Sequence, residues 1–175
     1  MPLVKNGEVV ADRYVFIDDD APVPADGPAI LKAERFLADA AELTGRNSET
    51  GVLWPNSRDI HELAPYLDRL ALIALVFPTF RDGRAYSQAR ILREQYKFRG
   101  EMRATGQVLR DQFIFLLRSG FDALDVKKEA DAAVYAQVLK RYSVFYQPTG
   151  DGRVTAFRAR LAPHAAVLKR EDIKS

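Results

Sequence analysis

The chain has 175 residues, a length that fits one compact domain with small terminal segments. Its 26 Lys and Arg residues nearly balance its 24 Asp and Glu residues, and the resulting net charge of +2 excludes an acidic solvating tail and a histone-like polycation. Because the chain contains no cysteine, it cannot by itself form disulfides, zinc ribbons, thiolate-bound iron–sulfur clusters or a cysteine nucleophile.

The sequence shows neither a targeting segment nor a membrane span. The first residues contain no basic stretch followed by an apolar run, so we expect no signal peptide. The longest apolar run, residues 70–77, is far shorter than the roughly 20 residues that a membrane helix needs. These features predict a cytoplasmic protein that does not bind membranes.

Residues 1–27 are predicted to form a small N-terminal β appendage, with short strands at residues 9–10 and 14–17. Three aspartates and two prolines then break the strand pattern. From residue 28 to residue 41 apolar residues recur at helical spacing, which predicts a helix that starts at Pro28.

Beyond this helix, short apolar strands alternate with helices. Strands are predicted at residues 51–54, 72–77, 101–105, 122–126 and 143–147, and helices at residues 60–70, 85–96, 108–117 and 130–142. Such alternation is typical of βαβ units, whose right-handed crossovers place the helices against a parallel sheet. The strand at 72–77 is apolar at every position, as expected of a central strand that is buried on both faces.

We therefore predict an α/β fold with a mostly parallel sheet of about four to six strands, either an open doubly wound sheet or a partial barrel. This core domain is expected to cover residues 28–150 and to be followed by a C-terminal tail, residues 151–175. A full (β/α)₈ barrel needs about 250 residues, so it is excluded unless two chains combine.

Polar and cationic residues follow the predicted strands, where parallel α/β folds bind ligands. Some of them directly precede predicted helices, whose N-terminal N–H groups attract anions. We expect an anionic ligand or an acidic protein surface at this edge; the alternative is that these residues are helix caps and solvated loop charges. The candidate ligand-binding residues are Asn56, Arg58, Thr79, Arg81, Asp82, Arg84, Thr105 and Gln107.

A second basic feature lies on the predicted helix at residues 85–96. Arg90, Arg93 and Lys97 are spaced i, i+3 and i+7 and would share one face, which is expected to bind a partner unless it is simply solvated. Residues 77–120 carry nine basic and four acidic residues, a local net charge of +5. No nucleic-acid partner is expected, because the whole chain is nearly neutral and has no recognised binding motif.

Catalytic motifs are scarce. The chain has no dinucleotide-binding, phosphate-loop or HExxH motif, and its two histidines, His61 and His164, lack the spacing of metal ligands, so no metal site is predicted. Asp125, near the end of a predicted strand, could point inward and act as a general base, although no partner for it is identifiable. The cofactor, if one is bound, is unknown.

The residues 77–93, FPTFRDGRAYSQARILR, form a distinctive run. Together with residues 100–106, 111–112 and 119–122, this run resembles a bacterial family catalogued as domain of unknown function 934, and the likeness extends over about residues 30–145. The shared motif residues are Phe77, Pro78, Arg81, Asp82, Gly83, Arg84, Arg90, Arg93, Arg103, Gly106, Gly120 and Phe121. The resemblance implies no catalytic role for any of them.

The resemblance implies a role in sulfite reduction, because these proteins are described as oxidoreductases of that process from their genomic neighbourhood. An oxidoreductase needs a redox group, yet the chain lacks cysteine, metal-ligand spacing and a flavin or nicotinamide fingerprint. We therefore expect an accessory protein of assimilatory sulfite reduction (sulfate assimilation) whose basic face binds sulfite or nitrite reductase or an acidic carrier.

Three further expectations stay open. The chain could instead be a small enzyme or module that binds an anionic metabolite at the strand C-termini, or an oxidoreductase with a bound cofactor. An exposed edge strand could pair with a second copy to form a homodimer, unless the N-terminal strands cover an edge.

Overall fold

One mixed eight-stranded sheet organises the protein. The computed structural model describes residues 1–43, 45–141, 145–146, 149 and 155–161. The strands are β1 (Leu3–Lys5), β2 (Glu8–Val10), β3 (Val15–Phe16), β4 (Ala29–Lys32), β5 (Thr50–Trp54), β6 (Leu70–Phe77), β7 (Glu101–Gly106) and β8 (Ala123–Asp125). The α-helices are α1 (Ala33–Ala38), α2 (Ala40–Leu43), α3 (Arg84–Arg90), α4 (Phe113–Arg118), α5 (Ala130–Arg141) and α6 (Ala156–Leu161).

Two 3₁₀ helices and one π-helix complete the described elements. The 3₁₀ segments are Ile60–Tyr66, which contains Pro65, and Arg110–Gln112, which leads into α4. The π-helix Ile91–Gln95 continues α3. None of the helices in the described ranges combines the length and apolar character that crossing a bilayer requires.

The strand order is β2-β1-β8-β7-β6-β5-β4-β3. Strands β3 to β8 are parallel and lie side by side in chain order, while β1 is antiparallel to β8 and β2 is antiparallel to β1. The prediction of an α/β fold is confirmed, but a mostly parallel sheet of four to six strands describes only the inner part. The sheet is wider and mixed because the first 27 residues add three strands, at both of its edges.

The sheet curls into a half-barrel. Parallel strands that follow one another in order, joined by right-handed crossovers, carry their helices on one face, so the sheet is not doubly wound. Eight strands about 4.8 Å apart span an arc of about 34 Å. The edge strands β2 and β3 are nevertheless joined by residues 11–14, which reach about 17 Å at most, so the two edges must approach one another. We call residues 11–14 the strap.

The two faces of the sheet carry different side chains. The convex face and the helices share the main core, which includes Ile73 and Leu75 of β6. Leu72 and Ala74 of the same strand point to the concave face, where they pack with Tyr14 of the strap in a smaller cluster. Burial on both faces explains why β6 is apolar along its whole length, and the prediction of a central strand there is confirmed.

The helix predicted from residue 28 is wrong over its first turn. Ala29–Lys32 forms β4, and α1 begins only at Ala33. Ile30 is buried on the concave face and Leu31 on the convex face. The pairing of β4 with both β3 and β5 therefore overrides the helical spacing. In the strand predicted at residues 143–147, Phe145 forms a parallel bridge with Thr155, and residues 143, 144 and 147 lie outside the described residues.

Gly106 ends β7 in a conformation that only glycine adopts easily. Its φ is +93°, and a Cβ at this position would lie 2.5 Å from the carbonyl oxygen of Phe77. Gly27 has a similar φ of +90°, but no atom lies within 4 Å of its Cβ position. Substituting alanine at each glycine therefore distinguishes the free-energy cost of the positive φ, present at both, from the cost of the steric clash, present only at Gly106.

We expect Gly106→Ala to lower the free energy of unfolding by about 3 kcal/mol, since it adds a clash with backbone to an unfavourable φ. Gly27→Ala, the matched control, should lose only about 1 kcal/mol because the strained φ is its sole penalty. Urea unfolding followed by circular dichroism measures both values. Equal losses in the two variants would contradict this interpretation of Gly106.

Candidate functional site

A cavity of about 200 Å³ opens on the concave face, between the sheet and the strap. Its walls are apolar on the side of β3 to β6 and polar on the side of β7 and β8. The lining residues are Asp12, Tyr14, Phe16, Ile30, Leu53, Ala74, Arg103, Thr105 and Asp125.

Strand alternation brings the polar side chains to this face. Arg103 and Thr105 are two residues apart on β7 and therefore point to the same side of the sheet. The register of β7 and β8 aligns Arg103 with Ala123, so Thr105 lies level with Asp125. This pairing places a hydroxyl beside a carboxyl near the C-terminal ends of two neighbouring parallel strands, the edge at which such sheets bind ligands.

Arg103 fastens the strap to the sheet. Its side chain is only 3% exposed, and its two terminal nitrogens donate to the two carboxylate oxygens of Asp12 at 2.5 and 3.0 Å. Its Nε and Nη2 also donate to Oε1 of Glu101 at 3.1 and 3.0 Å, and Glu101 in turn pairs with Lys5. These hydrogen bonds pair the buried guanidinium with carboxylates of the chain itself, as a buried charge requires.

The strap is held at a second point by Tyr14. Its hydroxyl donates to the carboxylate of Glu49, and burial together with this bond raises the pKa of Tyr14. Burial also acts to raise the pKa of Asp12, but hydrogen bonds from Arg103 and from the Tyr14 backbone N–H outweigh it and hold this pKa below its ordinary value. At neutral pH the strap therefore carries an ionised Asp12 and a neutral Tyr14.

The pKa of Asp125 is shifted in the opposite direction from that of Asp12. Burial raises its pKa, and Thr105 and Arg103 offset that effect only in part. In the described part of the chain, no Lys, Arg or His nitrogen lies within ion-pair distance of its carboxylate. Asp125 therefore offers a poorly compensated carboxyl to the cavity, next to the Thr105 hydroxyl.

The residues predicted as an anion site lie outside this cavity, with the exception of Thr105. Asn56, Asp82 and Arg84 are brought together: the Arg84 guanidinium donates to both oxygens of Asp82 at 3.0 and 2.7 Å. These hydrogen bonds lower the pKa of Asp82, with a further contribution from the neighbouring Asn56 side chain. Asn56 is buried beside this carboxylate.

Helix starts at this edge receive carboxylates from the chain itself. Asp82 accepts the backbone N–H of Arg84 at 3.2 Å, where α3 begins. Asp59 likewise accepts the backbone N–H of His61 at 3.0 Å, at the start of the first 3₁₀ helix. At these two helix starts a side chain therefore already occupies the positive end. At the helix start predicted after Gln107, the backbone N–H of Leu109 donates instead to the amide oxygen of Gln112 at 3.1 Å.

The remaining predicted ligand residues are dispersed. Arg58 donates to Glu62 at 2.7 Å and stacks over the ring of Trp54 at 5.4 Å. Thr79 is exposed and its carbonyl accepts the backbone N–H of Asp82 at 3.2 Å. Gln107 is exposed and is fixed through its backbone N–H, which donates to the carbonyl oxygen of Phe77 at 2.8 Å.

Arg81 has a different environment. It is exposed and lies 5.4 Å above the ring of Phe80, which is itself 48% exposed. Gln112 donates to the carbonyl oxygen of Phe80 at 3.0 Å, and Phe115, one helical turn after Gln112, is 63% exposed. Arg81 makes no ion pair with any residue in the described ranges. We call Phe80, Arg81 and Phe115 the aromatic–arginine surface.

The predicted basic helix face does not consist of equivalent charges. Arg90 is exposed and pairs with Glu94 at 3.1 Å, and Lys97 is exposed beyond the π-helix with a φ of +57°. Arg93 points inward, where it donates to the carbonyl oxygens of three other residues and to the Asp122 carboxylate. Those three carbonyls belong to Phe98, Gly100 and Gly120.

The partners of Arg103 are not predictable from local sequence. Asp12 lies 91 positions away from it, so local spacing contains no sign of their contact. A usable signal exists in β7, where Glu101, Arg103 and Thr105 alternate with apolar residues, a pattern that indicates a polar face on an otherwise buried strand. Within the described ranges, no group of three or more His, Cys, Asp and Glu residues could hold a metal ion.

We expect Arg103→Met to lower the free energy of unfolding by about 3 kcal/mol, because it leaves two carboxylates without their buried cation. The matched control is Arg99→Met, which removes an exposed arginine two residues before β7 begins and should change stability by less than about 0.5 kcal/mol. Urea denaturation measures both. A loss below about 1 kcal/mol in Arg103→Met would show that the strap does not depend on this arginine.

Asp125→Asn should stabilise the protein at neutral pH. The folded pKa of Asp125 lies above its unfolded value of 3.8, so ionisation opposes folding at neutral pH, and this cost vanishes as the pH falls below about 4. The variant should therefore melt a few degrees above the wild type at pH 7, with the difference shrinking toward pH 4. Asp111→Asn, at an exposed position, serves as the control; an unchanged or lower melting temperature for Asp125→Asn at pH 7 would contradict the assignment.

Comparison with known proteins agrees with the distinctive run in the sequence. No curated protein matches the chain. The model of a family described as bacterial protein of unknown function (DUF934) matches residues 51–157, well over half of the chain, from the second residue of β5 to beyond the end of α5. The chain therefore belongs to the DUF934 family of bacterial proteins of unknown function.

Proposed function

We propose that the protein is an accessory protein of assimilatory sulfite reduction that binds an acidic redox enzyme, sulfite or nitrite reductase, through its aromatic–arginine surface. The metabolic context comes from the family resemblance, and the binding surface comes from the geometry of Phe80, Arg81 and Phe115. In this proposal the partner carries out the electron transfer, which agrees with a chain that contains no cysteine.

The observation that carries the proposal is the exposed stack of Arg81 on Phe80. Arginine and aromatic side chains are enriched among the residues that contribute most to protein interfaces. Phe115 extends the same surface, because Gln112, one turn earlier on the same helical segment, holds the Phe80 backbone. Two exposed rings and a cation, on segments that the Gln112–Phe80 hydrogen bond joins, are suited to a partner surface that is acidic and partly apolar.

The other arginines of this region are less suited to the role. Arg84 and Arg90 are already paired with Asp82 and Glu94, so their charge is largely compensated within the chain. Arg93 is committed to backbone carbonyls, and its replacement would disturb the fold before it tested docking. Arg81 retains a guanidinium that can form a bidentate bond with a carboxylate of the partner.

A second candidate function, the binding of a small molecule, is favoured by the concave cavity. Parallel sheets bind ligands near the C-terminal ends of their strands, and Thr105 and Asp125 line the cavity there. Its volume of about 200 Å³ is below the roughly 300–1,000 Å³ of typical cofactor sites, so a dinucleotide does not fit inside it. This candidate therefore concerns small ligands only.

The docking proposal predicts that purified sulfite reductase binds the protein at low ionic strength and that Arg81→Glu weakens this binding at least about tenfold. The substitution replaces an attractive charge by a repulsive one at the centre of the surface. Affinity should also fall as salt is added. Biolayer interferometry with immobilised sulfite reductase, repeated with nitrite reductase, measures the dissociation constants.

Arg99→Glu is the matched control, because it makes the same charge change at an exposed arginine that precedes the first residue of β7. Phe115→Ser, which leaves the charge intact, should also weaken binding, since its ring is 63% exposed and belongs to the same surface. Absence of binding to both reductases at low salt, or equal losses in Arg81→Glu and Arg99→Glu, would refute the proposal.

A further inference from the structure

We propose that the concave cavity is a binding site for a small organic cation, an alkylammonium group attached to a short branched apolar body. This site lies on the opposite side of the sheet from the helices of the main core; the inference rests on the second candidate function, small-molecule binding in this cavity, and is independent of the docking surface. It rests on the volume of the cavity, on the division of its walls and on the bonds that its charged residues already make.

The volume limits the size of the ligand. About 200 Å³ corresponds to roughly seven water molecules at about 30 Å³ each. A ligand of about six to eight non-hydrogen atoms would fill it at the packing density of a protein interior. The strap contributes Asp12 and Tyr14 to the wall, and both are anchored, so the cavity has little room to widen.

The apolar wall suits a hydrocarbon body. Ile30 and Ala74 are almost fully buried, and Leu53 packs against them from the strand between. Phe16 of the edge strand β3 borders the same cavity and is 45% exposed. A branched alkyl group placed against these side chains would remove apolar surface from water on both partners, the main favourable contribution to binding in such pockets.

The polar wall selects the charge. The cation of the lining, Arg103, donates four hydrogen bonds to Asp12 and Glu101, and Lys5 also pairs with Glu101. Asp125 contributes a carboxyl that no ion pair reaches among the described residues. Arg103 and the N-terminal ammonium compensate this carboxylate only in part, through space, so the wall offers a net negative group to a ligand. An anion entering the cavity would meet this carboxylate without an unpaired lining cation to bind it.

An ammonium group fits the two remaining polar groups. It donates up to three hydrogen bonds, and the Asp125 carboxylate and the Thr105 hydroxyl both accept. Burial raises the pKa of Asp125, so a bound cation would offset the desolvation that opposes its ionised form. Charge-assisted hydrogen bonds of this kind are stronger than neutral ones, and the partial burial of the site strengthens them further.

The test compares probes of nearly equal shape and different charge. The full chain, labelled with ¹⁵N, is titrated at pH 7 with 3-methylbutylamine and, separately, with 3-methylbutanoate, which replaces the ammonium by a carboxylate. We expect the amine to shift the amide resonances of Leu53, Thr105 and Asp125 with saturation, and the carboxylate to leave them unchanged. Asp125→Asn should weaken amine binding by about ten- to hundredfold.

Asp111→Asn, at an exposed carboxylate that does not line the cavity, is the matched control and should bind as the wild type does. Thr105→Val preserves the β-branched shape, and its expected weaker binding gives an independent readout if Asp125→Asn fails to fold. Binding of the carboxylate as tightly as the amine, amine binding that survives both substitutions, or no saturable shift up to high millimolar amine would each overturn the proposal.

Discussion

The strap between β2 and β3 is the constraint on which the architecture depends. Four residues join strands that lie at opposite edges of an eight-stranded sheet, so the sheet cannot be flat. The connection is held near its centre by the ion pair of Arg103 and Asp12, which links it to β7 across 91 positions of sequence. Curvature, edge protection and the concave cavity all follow from this short connection.

The curvature determines how each face of the sheet is covered. Consecutive right-handed crossovers place every helix of the parallel units on the convex face, where the main core forms. Among the described residues, no helix contributes to the cluster on the concave face, which the strap covers with Tyr14 instead. Because the strap brings Asp12 with it, the concave face needs an internal cation, and Arg103 supplies that charge at 3% exposure.

Much of the parallel core could be predicted from local sequence. The unbroken apolar run of β6 and the alternation of strands with helices indicate an α/β sheet, because burial on both faces leaves a direct signature in composition. The segment at β4 is harder to interpret, because Ile30 and Leu31 point to opposite faces of a strand, yet Ile30 also lies at helical spacing from Ala33 and Leu37. Tertiary pairing, which local spacing does not contain, decides between the two structures.

The N-terminal strands illustrate the same limit at longer range. Their strand character follows from composition, but β1 pairs with β8 about 120 positions later, and nothing in the first residues specifies that partner. These strands cover the two edges of the sheet formed by β4 to β8. Cover by the N-terminal strands is one of the two alternatives expected for an exposed edge strand. β3 remains an outer strand with Val15 and Phe16 exposed, and pairing of a second copy there stays a prediction.

The predicted anion site shows how charges are divided between folding and function. Helix N-termini do follow some of the strand ends, but Asp59 and Asp82 already occupy two of them. A sequence motif does not distinguish an internal carboxylate from an external one. Most arginines of the family motif likewise bind groups of the chain itself: Arg93 donates to backbone carbonyls and Arg103 to the strap.

Functional charges are then best sought among charged residues that have no ion-pair partner in the described ranges. Arg81 on the outer surface and Asp125 in the cavity meet that criterion with opposite signs. In the two proposals, an exposed cation beside aromatic rings suits a large acidic surface, whereas a carboxyl in an open cavity of about 200 Å³ suits a small cation. The proposed binding chemistries would then lie on the two sides of a single curled sheet.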